Sequence, residues 1–171
     1  REFFVSMAEP VMALHYHSGK DCSLEMALSL ESQIHHQTSL FEKNGLLMEG
    51  QAPVSVAPPY YSCKNPIVYQ EGLGIRFAIC LYVQTDGKTV QQENKLYIKD
   101  ARNVFVYLSG LTDFEQKDFY LSRKKQMLER LRFYQYDRVK MAHLKEYAKY
   151  FDRVSFTLND TKENNFVLKM F

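Results

Sequence analysis

The chain has 171 residues, of which 46% are hydrophobic and 25% are charged; these ordinary globular values exclude a disordered or fibrous class. At this length one sizeable core is expected, with room for an appendage. The formal net charge is only +2, with 22 basic and 20 acidic residues mixed along the chain, so the broad basic surface of a nucleic-acid-binding protein is missing. We therefore expect no nucleic-acid partner.

Cysteine content and hydropathy further limit the kind of protein that this chain can be. Cys22, Cys63 and Cys80 are an odd number without CxxC spacing, so we predict reduced thiols, two of them (Cys22 and Cys80) on strands, rather than a disulfide framework or zinc site. No apolar run approaches the length of a membrane span, and no membrane partner is expected. The chain begins at Arg1 in a strand-like run, which we interpret as a start inside a larger protein. Localisation therefore stays unassigned, with reduced thiols slightly favouring the cytoplasm.

Period-two alternation of apolar residues runs through the first two-thirds of the chain. Its clearest stretch, 75–83, predicts a half-buried strand, and similar alternation occurs at 24–30, 96–98 and 104–108. Turn signals separate these segments, and Asp86-Gly87 is a strong hairpin signal. Antiparallel strands at this spacing predict a mainly β protein built as an antiparallel β-sandwich.

The alternation lapses between residues 50 and 74. Four prolines in this stretch lack amide hydrogens and fix the backbone φ angle, which opposes a regular strand ladder. We predict a long irregular loop, which is either functional or a cover for a sheet edge. The four residues are Pro53, Pro58, Pro59 and Pro66.

From Leu111 onward the apolar period changes to three or four residues. Thr112 and Glu115 have the spacing of a capping box, which predicts two helices, or one bent helix, over about 115–150. The acids at 113, 115 and 118 are expected in the first helical turn, where the helix dipole accounts for them without catalysis. The predicted sheet-facing stripe is Phe119, Met127, Leu131 and Tyr134.

These patterns divide the chain into three parts. Residues 1–112 are predicted to form the β-sandwich portion and residues 113–151 a helical linker. Residues 152–171 are predicted to be a terminal strand and tail, because alternation returns in Val154, Phe156 and Leu158 before the polar segment 159–165.

Histidines and acids give no metal or catalytic site. His15 and His17 lie two apart on a predicted strand and so share a face, but no further ligand is placed near them, and a polar strand face explains them and the pair His35 and His36. No GxSxG, P-loop, GxGxxG or HExxH motif is present. We predict no metal, no cofactor and no catalytic residue.

Four segments of the chain carry recognisable motifs in a fixed order. They are Arg-Glu-Phe-Phe-Val-Ser at 1–6, Gly-Gln-Ala-Pro and Pro-Pro-Tyr within 50–60, Gly-Ile-Arg-Phe at 74–77, and the run from Tyr-Asp at 136 through His and Glu-Tyr to Phe-Asp-Arg-Val-Ser at 151–155. In this order and spacing they resemble glycoside hydrolase family 95, the α-L-fucosidases, over nearly the whole chain to about residue 158. The sequence departs from the family pattern at Val54, Ser55 and Pro59, and at Glu146, where the family's usual residue is Asp.

The resemblance implies an incomplete, super-sandwich-like domain and helical linker that precede a catalytic helical barrel. In that family an acid protonates the leaving oxygen and an opposing Asp, working with Asn side chains, activates water; none of those residues maps onto this chain. The implied partner is the barrel of the same parent chain, the implied parent substrate is a fucosylated glycan or a related α-L-galactoside, and the chain alone is expected to be inactive. The alternative is a free-standing carbohydrate-binding or adaptor module. Candidate contacts to the barrel are Tyr60, Tyr136, His143, Tyr147 and Arg153.

Self-association is a further expectation. Apolar and aromatic residues spread over more than one side of the predicted helices. When no barrel covers them, residues 115–150 should therefore hold copies of the chain together, or be swapped between copies. The residues expected outside the sheet-facing stripe are Phe133, Tyr136, Val139, Tyr147 and Tyr150.

Overall fold

A computed structural model describes residues 1–115, 117–157 and 167–170. Antiparallel strands hold more of these residues than the helices do, and two α-helices follow the main strands, which confirms the mainly β prediction and the prediction of two helices. The strands are β1 (Glu2–Val5), β2 (Met12–His17), β3 (Leu24–Leu28), β4 (His36–Phe41), β5 (Gly45–Gln51), β6 (Ser55–Val56), β7 (Ile67–Val68), β8 (Arg76–Thr85), β9 (Lys88–Gln92), β10 (Lys95–Ala101), β11 (Asn103–Thr112), β12 (Val154–Thr157) and β13 (Val167–Met170), and the helices are a short 3₁₀ turn (Lys117–Phe119), α1 (Tyr120–Phe133) and α2 (Tyr136–Phe151).

Two antiparallel sheets form the sandwich. The larger sheet has the order β1-β2-β11-β8-β5-β4, and the smaller has the order β3-β10-β9. Leu81, Val83 and Val106 of the larger sheet pack against Leu96 and Ile98 of the smaller one in one buried cluster. Alternation along each strand sends one set of side chains into this cluster, which is the reason the period-two pattern predicts the sheets.

The helices cover the opposite face of the larger sheet. Met127 and Leu131 of α1 share a second buried cluster with Ala78, Cys80 and Tyr107 of the sheet. Strand β8 is therefore buried on both faces, and the prediction of a half-buried strand is wrong. The reason is that the second face of β8 carries the small side chains of Ala78 and Cys80, against which helix α1 packs.

The start of the helical region differs from the prediction. Thr112 is the last residue of β11, and α1 begins at Tyr120 without a side-chain cap, so the predicted capping box does not form. Asp113 is buried and bonds to Arg76 instead of capping a helix. Phe119, predicted to face the sheet, is 61% exposed because it lies in the preceding 3₁₀ turn.

Helix α2 is also rotated relative to the prediction. Tyr136 and Val139, expected to face outward, are buried in the cluster between helices and sheet. The break before α2 explains this orientation, since Tyr134 and Gln135 both have extended backbone angles and redirect the chain across the sheet. Neither described helix is both long enough and apolar enough to cross a membrane.

The proline-rich segment contains a small strand ladder as well as loop. Strands β6 and β7 pair with each other, and the amides of Val54 and Ala57 donate to the carbonyl oxygens of Val68 and Pro66 at 2.8 and 2.7 Å. We call residues 53–69 the arm. Its two strands have exposed side chains, so the arm projects from the sandwich rather than filling it.

The three cysteines are free thiols. Cys80 is buried on β8, and burial raises the pKa of its thiol to about 12. Cys22 is exposed and lies in the loop before β3 rather than on a strand, which corrects the prediction. Its backbone amide closes a turn by donating to the carbonyl oxygen of Gly19.

The final predicted strand is present as β12, which pairs antiparallel with β13. The predicted polar tail at 159–165 lies outside the described residues. The division at 112 and 151 stays a prediction, although α1 and the sheet share one core.

Candidate functional site

Helix α2 presents two apolar sides. The inner side packs on the sheet, and the outer face, which we define as Met141, Leu144, Tyr147 and Phe151, is exposed to solvent. The spacing of three or four residues places these four side chains along one side of the helix. Met141 is the most exposed of them, at 71%. A helix apolar on two sides is typical of an element placed between two partners.

Tyr136, one of the predicted contacts, is held inside the chain. Its hydroxyl donates to Glu2 Oε2 at 2.7 Å, and Lys140 Nζ lies 2.5 Å from Glu2 Oε1. Burial, reinforced by the Glu2 carboxylate, raises the pKa of Tyr136 above its usual range, while the hydrogen bonds from Lys140 and then Tyr136 lower the pKa of Glu2. Tyr136 therefore fastens β1 to α2 and is not available to another domain.

His143 also binds β1. Its Nδ1 accepts a hydrogen bond from the amide of Met7 at 3.3 Å, and its ring stacks on Phe4 with centroids 4.9 Å apart. The ring centroid of Tyr147 is 5.5 Å away. Half-buried His143 thus separates the sheet-facing side of α2 from the outer face.

Tyr147 and Arg153 remain accessible at the C-terminal end of α2. The ring of Tyr147 stacks on Phe151 with centroids 5.1 Å apart. The guanidinium of Arg153 lies over the ring of Tyr150, 5.1 Å from its centroid. This end of the helix combines aromatic faces with a cation, a composition enriched in protein interfaces.

Tyr60 lies elsewhere, near the tip of the arm, and is 90% exposed. The neighbouring Tyr61 and the arm residues Val56 and Ile67 are also exposed. Among the described residues, no hydrogen bond or ring contact joins Tyr60 to α2. The structure therefore brings Tyr136, His143 and Tyr147 together on one helix and places Tyr60 on a separate projection.

The histidine pair forms a polar network. His15 Nε2 and His17 Nδ1 each lie 3.1 Å from Asn103 Oδ1, and Asn103 Nδ2 donates to Asp86 at 3.0 Å. Within the described ranges no three His, Cys, Asp or Glu side chains are gathered as metal ligands. The interpretation of a satisfied polar strand face fits these contacts.

The ion pair between Arg76 and Asp113 was not predicted from the sequence. Arg76 Nε donates to Asp113 Oδ2 and the Arg76 amide to Asp113 Oδ1, both at 2.8 Å. Burial alone would raise the pKa of Asp113, but these hydrogen bonds and the guanidinium charge lower it. No local pattern signals a partner 37 positions away.

The fold and these surfaces define a class: an antiparallel β-sandwich with helices closing one face and apolar surfaces left outward. The chain belongs to the family described as "Glycosyl hydrolase family 65, N-terminal domain", whose model matches residues 1–117. The family number in that description differs from the one in the resemblance. Both descriptions place the sandwich in a glycoside hydrolase.

A curated relative extends the match beyond the sandwich. The chain is similar to "Alpha-L-fucosidase 2" of Arabidopsis thaliana, with 27% identity over 184 aligned positions and 98% of this chain covered. The alignment takes in both helices, and it confirms the recognition of an N-terminal region of a fucosidase. The chain spans 22% of the relative's length.

Proposed function

We propose that this chain is a non-catalytic sandwich-and-helix region of an α-L-fucosidase or related α-L-glycosidase, and that it supports a catalytic helical barrel in the same parent protein. The observation that carries the proposal is the outer face of α2, which is exposed although the same helix is buried against the sheet through Tyr136 and Val139. The fucosidase relative supports an α-L-fucosidase activity for the parent protein, whose substrate we propose to be a fucosylated glycan.

The barrel would contact this chain through two surfaces, one on α2 and one on the arm. The surface on α2 consists of the outer face and the Tyr150–Arg153 pair, and it includes Tyr147 and Arg153, which were predicted as contacts from the sequence. On the arm the exposed tip at Tyr60 offers a second contact. Tyr136 and His143 would affect the barrel contact only indirectly, because they fix the orientation of α2 relative to β1.

Incubation of the 171-residue chain with an aryl α-L-fucoside is expected to release no phenol above background. Inverting hydrolysis needs an acid and a base on opposite sides of the scissile bond, and no such carboxylate pair is assigned here. The parent protein assayed in parallel is the positive control. Turnover that co-purifies with the chain would contradict a non-catalytic role.

In the absence of a barrel, the outer face of α2 is expected to hold copies of the chain together. Each exposed apolar side chain withdrawn from water contributes about 25 cal/mol per Å² of area, and several together reach the size of an interface patch. We expect the mass measured by light scattering to rise with concentration. The variant Met141→Ser with Leu144→Ser should reduce that rise.

Lys149→Ser is the matched control, since Lys149 is exposed on the side of α2 that points away from the outer face and should leave the mass unchanged. A monomeric mass at every concentration for the unaltered chain would show that the outer face needs no partner. Tyr136 is left unaltered in this test, because it is buried and its replacement would destabilise the fold.

A further inference from the structure

An open groove of about 710 Å³ lies between the base of the arm, the edge of the larger sheet and the start of α1. Its wall on the sheet side is the segment from His35 to Gln37 with the end of β5. Gly50 permits this wall, because a Cβ there would collide with the carbonyl oxygen of His35 and the ring of Phe77. The groove thus has a shape set by backbone packing, and its volume is within the range of small-molecule sites.

Aromatic rings are held in fixed positions along the groove. His35 and Tyr69 stack with ring centroids 3.6 Å apart and planes 12° from parallel, and the Tyr69 hydroxyl accepts a hydrogen bond from the His35 amide. Tyr120, on the α1 side, has the Arg76 guanidinium 4.5 Å from its ring centroid. Tyr120 is buried and closes that side of the groove. The exposed His35 ring, held against Tyr69, offers an apolar face at little cost in side-chain entropy.

Both cations of the groove are already paired. Lys124 Nζ lies 2.6 Å from Glu49 Oε1, and Arg76 is paired with buried Asp113. Glu71 also lies on the lining and offers a carboxylate that can accept hydrogen bonds from hydroxyl groups. The amide of Gln37 and the imidazole of His36 add further hydrogen-bonding groups at the rim.

We propose that this groove binds a neutral saccharide. A pyranose ring has apolar C–H faces and a rim of hydroxyls, which matches the exposed His35 ring flanked by hydrogen-bond donors and acceptors. An inorganic anion would find each cation already neutralised, and a hydrocarbon would leave the polar lining without partners. The groove is separate from the proposed barrel contact, because its lining includes neither Tyr60 nor any residue of the outer face of α2.

The test is titration of the ¹⁵N-labelled chain with L-fucose and with lactose, followed by amide chemical shifts, with glycerol and inorganic phosphate as comparison probes. Saturable shifts are expected at amides of the groove with at least one sugar. His35→Ala should weaken that binding by roughly three- to tenfold, because it removes one ring of the stack. His17→Ala is the matched control, an exposed histidine outside the groove, and should bind as the unaltered chain does.

Three results would overturn the proposal. They are shifts that do not saturate with either sugar, equal shifts with glycerol, and binding of phosphate alone. Tyr69→Phe separates a structural from a direct effect, since it keeps the ring and removes only the hydroxyl bonded to His35. It should bind sugar within about threefold of the unaltered chain if the ring face makes the contact. Sugar binding requires no glycosidase activity, so this outcome and that of the fucoside assay are separate.

Discussion

Replacing Leu131 by alanine is expected to lower the free energy of unfolding by about 2–5 kcal/mol, the range for deleting a fully buried leucine side chain. Leu131 has no exposed area and lies between α1 and the larger sheet, in contact with the cluster that includes Tyr107 and Cys80. Packing at that depth relaxes only partly around a deletion, so a cavity is expected to remain. Urea unfolding followed by circular dichroism measures the loss.

Leu121→Ala is the control on the same helix, because Leu121 is 65% exposed. It should change the free energy of unfolding by no more than about 0.5 kcal/mol. Because helix and sheet share a core, helical and strand signals should disappear in one transition for both variants. A separate early loss of the helical signal would show that α1 is an appendage rather than a layer of the domain.

The strand pattern was readable in the sequence because alternation reports directly on burial. Segments such as 75–83 and 104–108 alternate since one face of each meets the smaller sheet. The second covered face was missed because Ala78 and Cys80 are small residues that carry weak hydrophobic signals. Their size is what allows α1 to approach the sheet.

The orientation of α2 could not be read from its own sequence. Its apolar residues cover two sides, and which side faces inward depends on Glu2 and Phe4, more than 130 positions earlier. Tyr136 and His143 were predicted to contact the barrel, and within the described residues they bond to Glu2 and to the amide of Met7. Tyr147, one turn beyond His143, is left on the outer face.

The groove was not predicted at all. His35 and Tyr69 are 34 positions apart, and the second of them lies at the base of a proline-rich segment that gave no periodic signal. Local sequence patterns indicate secondary structure, whereas this site depends on how the arm folds back on the sheet edge. The resemblance to a family supplied the domain's identity without supplying this arrangement.

Replacing Arg76 by alanine is expected to lower the free energy of unfolding at pH 7 by about 1.5–3 kcal/mol, the range for a hydrogen bond to a charged group. Asp113 is 2% exposed, so its carboxylate would lose its guanidinium partner without gaining water. We take the lower part of the range because about half of the Arg76 side chain is exposed and screened by solvent. Lys88→Ala breaks the exposed pair with Asp100 and should cost less than about 1 kcal/mol.

The dependence on pH identifies the cause of that loss. The pKa of Asp113 is lowered in the folded chain, so the stability it contributes is fully present above the unfolded value of about 3.9 and is lost as pH falls through the folded value. Protonated Asp113 no longer needs the guanidinium, and the difference in unfolding free energy between Arg76→Ala and the unaltered chain should therefore shrink toward pH 2. Urea titrations at pH 7, 4 and 2 measure it. A difference that stays constant across this range would assign the loss to the stacking of Arg76 on Tyr120 rather than to the carboxylate.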